Sequence, residues 1–138
     1  MVNGMLEHQL IQSTGFRNFG PEGARQGFAV PLRIPNYHGM RLSLFDGADI
    51  TLDGEFLSHE KNRFSIRNEE YTLEKLREET VARWGMFEKG FILVDRPGGL
   101  TPGIHKVAVT ARIRYSYFPP DVHIFMMRGE RLATIVLP

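Results

Sequence analysis

The 138-residue sequence predicts a mostly β protein: an antiparallel β-sandwich, jelly-roll-like, with one short helix, in a single domain spanning residues 1–138. Three observations carry this. Short apolar runs recur along the chain with turn residues between them, which is the spacing of sandwich or barrel strands. From His105 the residues alternate, with Val107, Val109, Ala111 and Ile113 on one face and Lys106, Ala108, Thr110, Arg112 and Arg114 on the other. That period of two marks a half-buried strand. Helix signals gather at one place, after Thr72.

In chain order, the strand-like runs are residues 6–12, 28–34, 40–45, 49–52, 64–67, 91–95, 105–117, 122–127 and 132–137. Residues 15–27, rich in glycine and polar side chains, read as a loop anchored by Phe16 and Phe19. Asp46-Gly47 and Asp53-Gly54 are hairpin-type dipeptides. The five residues from Ala48 to Leu52 alternate between them. Thr72 is placed to cap a helix that begins at Leu73, by accepting from the backbone N–H near Lys75. Tyr71 and Leu76 have the spacing of a hydrophobic staple. Leu73, Leu76 and Trp84 could share a face and Gly85 could end the helix, but Thr80 and Val81 are poor helix formers, so one or two turns is the alternative. Pro97-Gly98-Gly99 and Pro102-Gly103 form turns before the long strand. That strand runs through Tyr115, Tyr117 and Phe118 to Pro119-Pro120, which cannot continue a sheet ladder.

Seventeen basic and sixteen acidic residues leave a net charge of +1, which supplies no field for gathering nucleic acid or anionic lipid. With no cysteine, neither a disulfide framework nor a cysteine zinc site is available. The composition fits a reducing cytoplasm, the expected location. The N-terminus lacks the basic and apolar regions of a secretory signal. No apolar run approaches the roughly 20 residues needed to span a bilayer.

The candidates for chemistry are sparse. His8, His38, His59, His105 and His123 show neither the i,i+4 nor the alternate-residue spacing that aims two imidazoles at one metal. They read as surface or singly hydrogen-bonded histidines. Asp46, Asp49 and Asp53 lack the ligand spacing of a calcium loop, and Asp46 and Asp53 read as turn residues. No phosphate-binding glycine loop or nucleophile elbow is present. Arg112, Arg114, Tyr115 and Tyr117 suggest stacking and phosphate contact. Without a basic surplus elsewhere, they read instead as a protein–protein surface. The corners Ile34-Pro35-Asn36-Tyr37-His38 and Tyr117-Phe118-Pro119-Pro120 are rigid and aromatic, suited equally to core packing or partner contact.

Four segments, in order and spacing, carry a family likeness: residues 38–55 (HGMRLSLFDGADITLDGE), residues 68–76 (NEEYTLEKL), the Arg83-Trp84 pair, and residues 97–120 (PGGLTPGIHKVAVTARIRYSYFPP). Over about residues 38–120 the chain resembles the small β subunit of bacterial C-glycoside deglycosidases. The resemblance implies a heteromer with a TIM-barrel α subunit similar to sugar isomerases. Its substrate would be a C-glycoside already oxidised at C3 of the sugar, a 3-oxo-C-glycoside, with proton transfer at C2 leading to cleavage of the C–C bond. It implies no cofactor in this chain and a divalent metal, manganese, in the α subunit, together with the main acid/base residues. Here the small subunit would have no catalytic residue and would support and cover the active-site mouth. The corner residues Tyr37, His38, Tyr117, Phe118 and Pro119 are the expected partner-facing surface. The rival classes are a free-standing carbohydrate-binding sandwich, stacking sugars on Tyr37, Trp84 and Tyr117, and a structural assembly domain that forms homo-oligomers.

Overall fold

The computed structural model describes residues 10–34, 39–85, 88–114 and 124–138. Its strands are β1 (Arg17–Phe19), β2 (Gly27–Leu32), β3 (Met40–Arg41), β4 (Phe45–Leu52), β5 (Glu55–Leu57), β6 (Arg63–Ile66), β7 (Glu69–Tyr71), β8 (Arg83–Trp84), β9 (Gly90–Asp95), β10 (Gly103–Arg114) and β11 (Ile124–Ile135), with a helix α1 (Leu73–Glu78) between β7 and β8. They form a five-stranded sheet ordered β1-β2-β9-β6-β7, a four-stranded sheet ordered β11-β10-β4-β5 and a small β3-β8 ribbon. Every pairing is antiparallel. The fold is the expected antiparallel sandwich.

Alternation explains how the two sheets face each other. Val107, Val109 and Ala111 of β10 and Ala48, Ile50 and Leu52 of β4 are buried with Phe28, Val30 and Leu32 of β2, Ile92 and Val94 of β9, and Phe64 and Ile66 of β6, all in one apolar cluster. Each such aliphatic or phenyl side chain contributes about 1.5–3 kcal/mol on leaving water. Gly27 is needed where β2 crosses β9, since a Cβ there would sit 2.0 Å from the Val94 carbonyl oxygen.

The strands expected at residues 28–34, 64–67 and 91–95 correspond to β2, β6 and β9, and the alternating run at 105–117 to β10 as far as Arg114. Elsewhere tertiary context changed the outcome. Within 6–12, Ile11 makes an isolated bridge to Leu32, and residues 6–9 lie outside the described residues. The expected loop at 15–27 contains β1, paired with β2. Phe16 does anchor it, packing edge-on against Phe28 at 6.2 Å. Residues 40–45 are not one strand. The Leu42 and Ser43 N–H groups donate to the Ala82 and Glu79 carbonyls, and a 3₁₀ turn at Leu42–Leu44 separates β3 from β4. Residues 132–135 and the described part of 122–127 join in β11, because β10 offers partners along all twelve residues, while 136–137 lie beyond the strand.

The helix begins where the sequence places it. Thr72 Oγ1 accepts from the Lys75 N–H at 3.2 Å, and Tyr71 and Leu76 are both buried. It ends at Glu78, the short helix of one or two turns that Thr80 and Val81 allow, and does not extend to Gly85. The Glu79 carboxylate accepts from the Val81 and Ala82 N–H groups at 3.2 and 3.0 Å, turning the chain out of the helix. Trp84 accordingly lies in β8, not on the helix face. The Asp53-Gly54 hairpin is as expected, with both residues left-handed (φ 48° and 91°) between the paired Leu52 and Glu55.

Candidate functional site: a charged network on one outer face

Asp46-Gly47 does not turn the chain. Both residues lie within β4, and the register against β10 slips between Ala111–Ala48 and Ile113–Phe45. Two residues, Asp46 and Gly47, therefore face the single Arg112, the count of a β-bulge, and Gly47 adopts the φ of 85° that a side chain would resist. The inserted residue changes which side chains share a face. Phe45 and Ala48, three apart, both enter the core, and Asp46 and Asp49, also three apart, both point outward.

That outer face is covered by α1 and the loop after β5. Arg77 of α1 holds Asp46 with two hydrogen bonds, Nε to Oδ1 at 2.8 Å and Nη2 to Oδ2 at 3.2 Å. Arg112 reaches Asp49 Oδ2 through Nη2 at 3.1 Å and Nε at 3.3 Å. The other oxygen of Asp49 accepts from the His59 N–H at 2.7 Å and lies 2.8 Å from His59 Nδ1. Arg114 donates through Nη2 to the Ser43 carbonyl, while its Nε, without a hydrogen-bond partner, lies 3.9 Å from Asp46 Oδ1.

Both carboxylates are under 9% exposed, and burial alone would raise their pKa values. For Asp46 that push is outweighed by the hydrogen bond and charge of Arg77, then by the charges of Arg114 and His59. The carboxyl is held below the ordinary range. For Asp49 the opposing groups are the His59 backbone N–H, the His59 ring and Arg112, with the same net lowering. Such a network keeps its acids ionised and braces helix, loop and sheet. Neither carboxylate is tuned toward the near-neutral pKa of a general base.

His105 departs from the expectation of a surface or singly bonded histidine. It is buried, with Nδ1 2.7 Å from Asp53 Oδ2 and Nε2 2.7 Å from the Thr101 carbonyl oxygen. Both neighbours are acceptors, so the site favours the doubly protonated ring, in which both nitrogens donate. Burial works against the charge. The Thr101 carbonyl and Asp53 overcome it and raise the His105 pKa. Asp53 also accepts from the Lys106 N–H at 2.8 Å, so this pair ties the β4–β5 turn to the start of β10.

Trp84 cannot be a stacking platform for sugar. It is 0% exposed, its Nε1 donates to the Glu88 carbonyl at 2.8 Å, and its ring packs on Phe64 and Phe45 at 4.8 and 5.2 Å between centroids. Arg112 and Arg114 also make internal contacts, to Asp49 and to the Ser43 carbonyl. Tyr37, His38, Tyr117, Phe118 and Pro119 lie outside the described residues. Ser43, five residues after His38, receives the hydrogen bond from Arg114, which directly precedes Tyr115. Among the described residues no three histidine, aspartate or glutamate side chains gather to hold a metal. Asp46 and Asp49, the nearest approach to a ligand set, already carry arginine donors. No helix among the described residues is long and apolar enough to cross a membrane.

The network was not legible as such in the sequence, because its members come from β4, β10, α1 and a loop. One signal was available: Phe45 and Ala48 both read as core residues, and only an inserted residue lets positions three apart share a strand face.

Comparison with known proteins identifies the family. Residues 6–117 match the family model for the C-glycoside deglycosidase beta subunit. A C-glycoside deglycosidase beta subunit from Eubacterium cellulosolvens is 32% identical over 118 residues, covering 85% of this chain and 80% of the relative. Two beta subunits from Arthrobacter globiformis are 28% identical over 67% of this chain and 71% of theirs, and 26% identical over 78% and 81%. With the model covering most of its length and a relative above 30% identity across most of both chains, this chain belongs to the C-glycoside deglycosidase beta subunit family.

Proposed function

We propose that this chain is the small subunit of a heteromeric C-glycoside deglycosidase, working in the cytoplasm with a TIM-barrel α subunit on 3-oxo-C-glycosides. In this reading a base removes the proton at C2, which the C3 ketone acidifies. The resulting enolate reforms the ketone as a C1–C2 double bond forms and the C1–aglycone bond breaks. The electron pair of that bond goes to the aglycone carbon, which takes a proton from an acid, so the step is a lyase-type elimination. A divalent cation such as manganese, held by the α subunit in this reading, would stabilise charge on the enolate oxygen.

The observation that carries an accessory role is the engagement of three aspartates of β4 and its turn by donors within the fold. Asp46, Asp49 and Asp53 are each held below the ordinary carboxylate range by donors within the fold, which suits bracing and not proton abstraction at neutral pH. Such a subunit would support and cover the mouth of the α-subunit site. In this reading Tyr37, His38, Tyr117, Phe118 and Pro119, at the two rigid aromatic corners of the sequence, face the partner.

Co-purification tests this reading. A tagged copy of this chain should retain the co-expressed barrel protein. Alanine at Tyr37 with Tyr117, or at Phe118, should weaken that retention while leaving the circular dichroism of the isolated chain unchanged. Retention indifferent to all of these substitutions would remove them from the interface, and no retention by the unaltered chain would remove the heteromer.

A further inference from the structure

One long strand has a partner on one side only among the described residues. Among the described residues β11 pairs with β10 alone and forms the edge of its sheet. Its twelve residues contain neither proline nor lysine, two devices by which edge strands usually discourage a second strand. Several apolar side chains on or beside it are left in water: Met126 is 40% exposed, Phe125 48% and Leu132 66%. An open concavity beside this edge is lined by Lys106, Glu130, Arg131 and Leu132.

We propose that β11 is a self-pairing edge, joining two copies of this chain antiparallel about a twofold axis at Gly129. The register follows from elementary constraints. In an antiparallel ladder, residues that turn their backbone N–H and C=O groups outward occur at every second position. A strand pairing with its own copy must therefore match positions of equal parity, so the axis passes through a residue. Centred on Arg128 or on Glu130, the pairing sets like charges directly opposite. Centred on Gly129, it sets Arg128 of each copy opposite Glu130 of the other and Met126 opposite Leu132, on the outer face. On the inner face it sets Met127 opposite Arg131 and Phe125 opposite Ala133. Two opposite-charge pairs and two apolar pairs then share a face, each favourable between directly opposed residues. Glycine on the axis avoids a side-chain encounter there. Glu130 already accepts Lys106 of its own chain at 3.1 Å, on the same outer face, so the copy's guanidinium joins an existing ion pair. The occupant is a second copy because the strand complements itself in charge. A different protein would need a matching sequence of its own. The inference does not depend on the deglycosidase reading.

Sedimentation of the full chain tests it, across concentrations and with the barrel protein absent and present. The unaltered chain should sediment at twice its 15.8 kDa mass when alone. R128E sets like charges together at both ends of the pairing and should raise the dimer dissociation constant about tenfold or more. Glu130→Arg combined with R128E restores opposite charges and should restore the dimer. Arg128 and Glu130 are both exposed, so neither change threatens the fold. A chain that is monomeric at every concentration would overturn the proposal, as would a dimer indifferent to R128E or a double variant no better than the single one. Hydrogen-exchange protection of residues 124–135 that appears only with the barrel protein would overturn it too, by assigning the edge to that partner.

Discussion

R77A removes the guanidinium that holds Asp46 and tests whether the charged network is an internal brace. The carboxylate loses hydrogen bonds of 2.8 and 3.2 Å and keeps Arg114, 3.9 Å away. At 7% exposure it has little access to replacement water. Breaking one half of a buried pair costs about 3–5 kcal/mol. Arg77 is itself half exposed and Arg114 retains part of the attraction, so about 2 kcal/mol is expected at neutral pH. The loss has a pH signature. Asp46 has a depressed folded pKa, with burial opposing and Arg77 prevailing. It therefore stabilises the fold above its unfolded pKa, a contribution lost as pH falls through the folded value. Without Arg77 the burial penalty meets less opposition, the carboxyl titrates higher, and protonation relieves the strain. Urea denaturation at pH 7 and about pH 4 reads the difference. R77A should lose about 2 kcal/mol at pH 7 and less in acid, and D46N in the R77A background should recover much of the neutral loss. A deficit below about 0.5 kcal/mol at pH 7, the size expected of a surface pair, would show that Arg77 and Asp46 do not brace the fold. An equal deficit at both pH values would refute the reasoning.

Two further outcomes follow from the geometry. The site of His105 favours the doubly protonated ring and raises its pKa, so the stability it contributes is complete below its unfolded pKa of about 6.5 and is lost as pH rises through the folded value. The melting temperature should fall over that range and H105Q should flatten the fall; nitrogen NMR showing a bare ring nitrogen at pH 6 would contradict the assignment. Trp84, the single tryptophan, fills the space between Phe45 and Phe64, so W84A should cost about 3–5 kcal/mol and native emission should shift to the red on unfolding. A variant within about 1 kcal/mol of the parent would show that the pocket collapses around the smaller side chain.

What the sequence could reveal depended on how local the cause was. Strand β10 was legible because its one buried face imposes a period of two, and the start of α1 because Thr72, Tyr71 and Leu76 act within one turn. The strands β1 and β7 were not, since Arg17-Asn18-Phe19 and Glu69-Glu70-Tyr71 carry little apolar pattern and exist because β2 and β6 offer them partners. In β11 the polar stretch Arg128-Gly129-Glu130-Arg131 looks like a break, yet a continuous partner keeps it extended. Asp46-Gly47 has the chemistry of a hairpin turn, and β10, alongside, makes it a bulge. The charged network assembles residues as far apart as Asp49 and Arg112. Trp84 looked available to a ligand because burial cannot be read from a two-residue motif. The family likeness, by contrast, was carried by order and spacing of segments, which survive at identities where individual positions do not.

The most direct measurement is cleavage of a 3-oxo-C-glycoside by three samples: this chain alone, the α-subunit-like barrel protein expected from the neighbouring gene alone, and the two co-expressed. The account predicts release of the aglycone in the co-expressed sample only. Cleavage by this chain alone would contradict its accessory role, and a pair that neither co-purifies nor cleaves would contradict the assignment as a deglycosidase subunit.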